Sequence, residues 1–336
     1  MDKRRIVRWV LACKQIITQE LNKKRIGDLQ MSNLEIRNFT ESDLPLLGDF
    51  YHQVTKEQVV FWWIGDKENW INVFCAFENN TMVVKGQVNI ISVIPKGRPK
   101  TSKHSIYLNL KSLPDVNKEV LNKVYEQLYE RALELKETLN PDYKTNLCVG
   151  NFKNETENNL FFTQEKGFKY KNSQYSMEAD LRKDITNVEM KSNTFEVNYW
   201  NMETTIEEEM YLKIEAEIWP DASLGLKRLK EYKENALWTS IIVKENGIIL
   251  GSVMVWKENE DNNDIGVIED LFVREQWRKQ GIAKCLLTKA MIYLKERGLK
   301  KVKLTVDATN ENALILYQSV GFKIVSEEVR FYKVLK

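Results

Sequence analysis

The stretch "EDLFVREQWRKQGIAKCLL", Glu269 to Leu287, sets an acidic pair on an apolar strand and follows it with a basic, glycine-containing turn that enters an amphipathic helix. A helix start leaves several backbone N–H groups without intrahelical acceptors and carries partial positive charge, so it attracts anions. Gly281 and Ala283 keep bulk away from those groups, while Arg278, Lys279 and Lys284 add full charges. Phosphate binding is the chemistry this pattern suits. Glu269 and Asp270 offer proton acceptors close by in sequence. The chain has only two histidines, His52 and His104, both in its first half. Chemistry in the second half must therefore use carboxylates, tyrosine, backbone groups or water, and neither a His-based metal site nor a His-driven nucleophile is expected there.

The elements that position this turn read clearly. "IGVIEDLFV" (Ile265 to Val273) is a strand of β-branched and apolar residues. The helix after the turn buries Ile282, Leu286, Leu287, Ala290 and Leu294 and closes at Gly298. The same design occurs earlier in the chain. "LEIRNFTESDLPLLGDFY" and "FEVNYWNMETTIEEEMYLKI" each give a strand, a polar cap and a helix; each half then has a strand-rich middle and a long helix, and ends in Gly-Phe-Lys with a final strand. The offset of about 155 to 160 residues is the size of an ordinary domain. We expect two tandem α/β domains with mixed sheets, at 31–185 and 190–336, preceded by an amphipathic basic helix or extension over 1–30. The first copy has a convincing helix on Val116, Val120, Leu121, Val124, Leu128, Ala132 and Leu135, yet no glycine between Gly97 and Gly150 to let backbone approach a phosphate. It reads as scaffold.

Bulk composition agrees with this. The 336 residues suffice for two cores, and Lys+Arg 50 against Asp+Glu 48 gives no electrostatic reason to expect nucleic acid or membrane as the main partner. Cys13, Cys75, Cys148 and Cys285 lie far apart, as reduced packing thiols of a cytoplasmic protein would. The longest apolar run near the start, Trp9 to Cys13, is far below the roughly 20 residues of a membrane span, and no signal-peptide cleavage pattern follows.

Spacing makes the turn specific. Arg278-x-x-Gly281-x-Ala283 resembles the Q/R-x-x-G-x-G/A signature of the GNAT superfamily of N-acetyltransferases, and "NENALILYQSVGF" resembles that family's second element at Asn310, Ala313, Leu316, Tyr317, Gly321 and Phe322. The resemblance covers about Phe195 to Lys336. It extends more faintly to Leu34–Leu181, where "ENNLFFTQEKGF" keeps Gly167-Phe168, has one extra helix residue, and puts Phe162 or Thr163 where the tyrosine belongs.

The resemblance implies two tandem GNAT-type domains, acetyl-CoA as co-substrate, no metal, and direct transfer of acetyl to the primary amine of a small molecule or peptide, with the C-terminal copy active. Its pyrophosphate site would be the backbone of Lys279, Gln280, Gly281, Ile282, Ala283 and Lys284 beside Arg278. The pantetheine arm would pair with Leu271, Phe272 and Val273, and Asn310 would fix a helix start and reach the cofactor. Tyr317 would protonate the departing thiolate, unless it is only a core aromatic. Glu269 and Asp270 are the candidates for accepting the amine proton. Strand alternation puts them on opposite faces, so one is expected to reach the site: Glu269 as base, with Asp270 as a substrate contact. Trp219 would form an aromatic wall for the acceptor, and Cys285 is a further, less suitable acetyl carrier. A homodimer is compatible with all of this. The competing reading is a CoA-binding or interaction module with little catalysis.

Overall fold

Leu34–Asn38 opens the first half as strand β1, an edge strand paired antiparallel with Phe74–Glu78. In the computed structural model, which describes residues 34–56, 58–188, 190–220, 224–258 and 264–336, it is followed by α1 (Leu44–Val54), β2 (Val73–Glu78), β3 (Thr81–Ser92), β4 (Lys103–Ser112), α2 (Lys118–Glu137), β5 (Lys144–Phe152), α3 (Thr156–Leu160) and β6 (Lys169–Asp180). The second half repeats this order with one additional helix: β7 (Glu196–Trp200), α4 (Thr205–Ile218), α5 (Leu226–Lys233), β8 (Thr239–Glu245), β9 (Ile248–Lys257), β10 (Ile265–Val273), α6 (Ile282–Glu296), β11 (Lys301–Asp307), α7 (Glu311–Gln318) and β12 (Lys323–Val334). The helix expected within 1–30 lies outside the described residues.

Each half is a mixed sheet of antiparallel strands with one parallel pair, β4 with β5 and β10 with β11. The last strands are exchanged. Asn146–Phe152 of β5 pairs with Glu328–Val334 of β12, whereas β11 pairs with Gln174–Asp180 of β6. One compact unit therefore runs to Asn172 and takes in Glu328–Lys336, and the other is Ser173–Glu327. The boundaries 31–185 and 190–336 mark the sequence repeat, while the packed units trade their closing strands. The physical reason is that both tails have the same length and period, so either fits the edge left open by either sheet.

In the second unit α6 lays Ile282, Leu286, Leu287, Ala290 and Leu294 on Ile241, Val243, Val253, Val255 and Ile268. Each such buried aliphatic side chain contributes about 1.5–3 kcal/mol. Helices α4 and α5 belong to a separate cluster in which Tyr211, Ile214 and Leu229 meet Ile242, Met254 and Phe272. Along β10, Val267 packs with the cluster of α4 and α5 and Ile268 with that of α6, and after Glu269 the parity reverses, Phe272 joining the cluster of α4 and α5 and Leu271 and Val273 that of α6. In the first unit α2 buries Val120, Val124, Leu128 and Ala132 against Val84, Val88, Ile106, Leu108 and Leu110, with Val116, Leu121 and Leu135 alongside.

Candidate active site

Strands β10 and β11 pair only at Ile265–Val267, so the rest of β10 carries no hydrogen bonds to β11. On its other side β10 pairs with β9, and there the ladder slips: Glu269 opposes Met254, and the next pair is Phe272 with Ser252. One extra residue is accommodated in β10, which is a β-bulge. Asp270 supplies it, in the left-handed region at φ 56°. Aspartate tolerates that conformation better than most side chains. Strand β9 comes in closely here, since a Cβ at Gly251 would lie 2.7 Å from the Phe272 carbonyl oxygen.

Beyond β10 the chain makes a 3-10 turn over Glu275–Trp277 and enters α6 through Gly281, whose φ of 86° and ψ of −7° place it in the left-handed region. Lys279 is left-handed too, at φ 62°. Gly281 is the N-cap and has no side chain to cap with, so the N–H groups of Ile282, Ala283 and Lys284 are left to an external acceptor. A cleft of about 300 Å³ opens there, lined by Val273, Trp277, Arg278, Lys279, Gly281, Ile282, Ala283, Lys284, Asn312 and Leu316. Arg278 is steadied by its Nε donating to the Val273 carbonyl at 3.1 Å. These residues fit a phosphorylated ligand: a cationic rim, exposed N–H groups and no carboxylate in the lining.

The bulge changes the reach of the acidic pair. The expectation that alternation lets only one carboxylate face the site is corrected here, because the extra residue breaks the period of two. Arg228 of α5 acts on both carboxylates, and both act on Tyr232. Burial pushes the Glu269 carboxyl up to about 7; Arg228 opposes this and the Asp270 charge adds to it. Burial also pushes Asp270 up to about 6, against the Tyr211 hydroxyl, which donates to Asp270 Oδ2, and against Arg228. Tyr317, on α7, is buried and packs on Phe322 with ring centroids 6.0 Å apart. Burial first, and then the Glu269 charge, push its phenol up to about 12. Glu269 and Tyr317 are therefore in one electrostatic neighbourhood.

The acetyltransferase (GNAT) family model matches residues 200–322, the span that holds the bulge, the turn and Tyr317. Over residues 200–322 the chain is similar to the GNAT acetyltransferase family. Curated relatives include an uncharacterised N-acetyltransferase of Methanocaldococcus jannaschii, 34% identical over 68 residues (20% of this chain, 30% of that protein), and a mycothiol acetyltransferase of Thermobifida fusca, 31% identical over 74 residues (22% and 23%). The chain thus spans less than a third of the length of these relatives. Among solved structures, a GCN5-related N-acetyltransferase from Sphaerobacter thermophilus shares the fold at TM-score 0.66 and 16% identity, covering 90% of this chain and 95% of that one. A tandem GNAT protein from the clavulanic acid biosynthesis pathway does so at TM-score 0.63 and 11% identity, covering 90% and 98%.

The first unit differs from the second at each of these points. Strand β4 follows β5 in register from Lys103 to Leu108, and its ladder with β3 is unbroken from Ile106 to Ser112. Its buried polar side chains are committed to structure. Asn109 Nδ2 donates to the Val60 carbonyl at 2.7 Å and its Oδ1 accepts from Trp62 N–H, while Lys111 pairs with Glu155 and donates to Asn151. Helix α2 is capped by the Asn117 side chain, which accepts from Glu119 N–H at 2.9 Å, so its start offers less to an anion. The extra helix residue read from the sequence is taken up as a π turn over Phe161–Glu165. Phe168 N–H donates to the Phe162 carbonyl as Phe322 N–H donates to that of Tyr317, so Phe162 is the counterpart of the tyrosine, without its hydroxyl.

Of the residues singled out from the sequence, Val273, Arg278, Lys279, Gly281, Ile282, Ala283 and Lys284 line the cleft. Gln280 instead accepts from Lys191 N–H through its carbonyl, and Asn310 Oδ1 caps α7 by accepting from Ala313 N–H at 3.1 Å. Leu271 packs against the α6 cluster and Phe272 against that of α4 and α5, where the Trp219 ring meets Phe272 edge-on at 5.7 Å. Cys285 is buried in α6, and burial pushes its thiol up, which suits packing better than acyl transfer. Tyr211, Arg228, Tyr232 and Asn312 escaped the sequence reading. Their signal is three-dimensional, Tyr211 lying 59 residues from the carboxylate it binds.

Proposed function

We propose that the second unit transfers an acetyl group from acetyl-CoA to the primary amine of a small molecule or peptide by direct attack. The observation that carries this reading is the β10 bulge at half-buried Glu269, whose charge acts on Tyr317, close in the chain to the left-handed basic turn. Acetyl-CoA supplies the thioester. The N–H groups of Ile282, Ala283 and Lys284, with Arg278 and Lys279 beside them, hold its phosphates. The unpaired edge of Leu271–Val273 offers backbone groups to the amide-rich arm.

Glu269 removes a proton from the incoming ammonium, for which a carboxyl near 7 is far better matched than one near its ordinary 4.5. Tyr317 is the donor to the departing sulfur. The two steps are linked. When Glu269 takes up a proton its charge vanishes, and with it one of the influences that hold the Tyr317 phenol up, so the base step makes the acid stronger. The fold and family matches support acetyltransferase chemistry; the choice of donor, acceptor and unit rests on the residues above.

The test is to incubate the purified chain with acetyl-CoA and a pool of amines and follow free thiol. Amine-dependent thiol release, abolished in Glu269→Gln, is expected. Tight acetyl-CoA binding without release under any amine would leave a binding module instead.

A further inference from the structure

The bulged residue Asp270 has a partner that no part of the acetyl transfer itself requires. Tyr211 projects from α4, is about 1% exposed, and donates its hydroxyl to Asp270 Oδ2. Asp270 meanwhile holds a left-handed backbone, at φ 56°, that most non-glycine residues avoid. The Tyr211 hydroxyl also meets Ser252 of β9, and a half-buried carboxylate gains from a donor. The bond thus ties the one irregular residue of β10 to a helix on the sheet's other side.

We propose that Tyr211 and Asp270 form a positioning pair that fixes the β10 bulge and keeps a negative charge beside Glu269. This rests on the reading of Glu269 as the base. It assigns Asp270 to the enzyme's own framework, in place of the substrate contact expected from sequence.

The groups facing the pair are few. Arg228 and Tyr232 reach it from α5, Tyr317 faces Glu269 from α7, and Tyr211 comes from α4, where Glu215 acts on its hydroxyl. Arg228 opposes the accumulation of protons on both carboxyls, and Asp270 favours it on Glu269. The Tyr211 hydroxyl stabilises the ionised form of Asp270, so Asp270 ionises first and Glu269 must then lose its proton against that charge. Removing the Tyr211 hydroxyl leaves Asp270 protonated over a wider range. Glu269 then ionises with a neutral neighbour, at lower pH. Asp270→Asn removes the same charge while leaving an amide oxygen for Tyr211 to donate to.

The experiment is a carboxyl titration by NMR of the full chain labelled with 13C at glutamate carboxyls, with the Glu269 signal identified by its loss in Glu269→Gln. It needs no acceptor. The expected result is a Glu269 midpoint lowered by about one pH unit in both Tyr211→Phe and Asp270→Asn, the size of shift a near carboxylate charge produces. An unmoved midpoint in both folded variants overturns the proposal, as does a shift in Asp270→Asn alone, which would reduce Tyr211 to packing, or in Tyr211→Phe alone, which would not act through the Asp270 charge. Failure of the catalytic reading shows elsewhere, as amine-dependent thiol release that persists in Glu269→Gln while the titration coupling is intact.

Discussion

In the proposed reaction Tyr317 and Glu269 carry different halves of the same proton inventory, and their substitutions should fail differently. Tyr317→Phe keeps the ring against Phe322 and removes the donor, so kcat should fall by about 100- to 10,000-fold with acetyl-CoA affinity nearly unchanged. A loss of thermal stability without a selective loss of kcat would mark the residue as structural. For Glu269 the prediction is a pH profile. A base held at about 7 is active only above that value, so kcat/KM should rise through pH 7 and level off beyond it, with no plateau in the ordinary carboxylate range. The linkage has a definite sign. A carboxyl raised above its unfolded value adds stability that is complete below about 4.5 and is lost as pH rises through about 7. Glu269→Gln should therefore melt higher than the parent at pH 8, with the gap closing as the solution is acidified. Both residues are marked as candidates by the sequence, one from its spacing to Gly321-Phe322 and the other because the second half has no histidine. Arg228 and Tyr211 were not, because nothing in the pattern of a surface helix marks a side chain that will meet a strand tens of residues away.

The turn and the bulge are the two elements that turn a strand–helix junction into a site. Gly281 is left-handed and faces the cleft, so Gly281→Glu adds both backbone strain and a carboxylate where an anion belongs. Calorimetric titration should show acetyl-CoA binding lost in a variant that remains folded; wild-type affinity there would remove the turn from the site. The glycine, the basic residues and the helix stripe mark this turn in the sequence itself. The bulge was hidden, because period-two reasoning assumes an unbroken ladder. Its only trace in sequence is the close-packed Gly251 opposite Val273 on β9, a residue that reads as an ordinary small residue until the Phe272 carbonyl is seen beside it.

At the scale of the whole chain, the repeat was legible from its strand starts and its Gly-Phe-Lys endings, but the pairing of the final strands was not. Local sequence specifies that 174–180 and 328–334 are strands; it does not say which open edge each will join. The exchange has a measurable consequence. Deleting Glu328–Lys336 removes the partner of β5 and should lower the thermal stability of the first unit while acetyl-CoA binding by the second persists. An unexchanged fold predicts the reverse, with binding lost first. The first unit's buried Lys111–Glu155 pair, its Asn117-capped helix and Phe162 in place of a tyrosine together argue that it binds no acyl donor of its own. Titrating acetyl-CoA into the full-length chain tests that claim directly. One site per chain, absent in Gly281→Glu, is the predicted result, and two equal sites, or a site that survives the substitution, would contradict it.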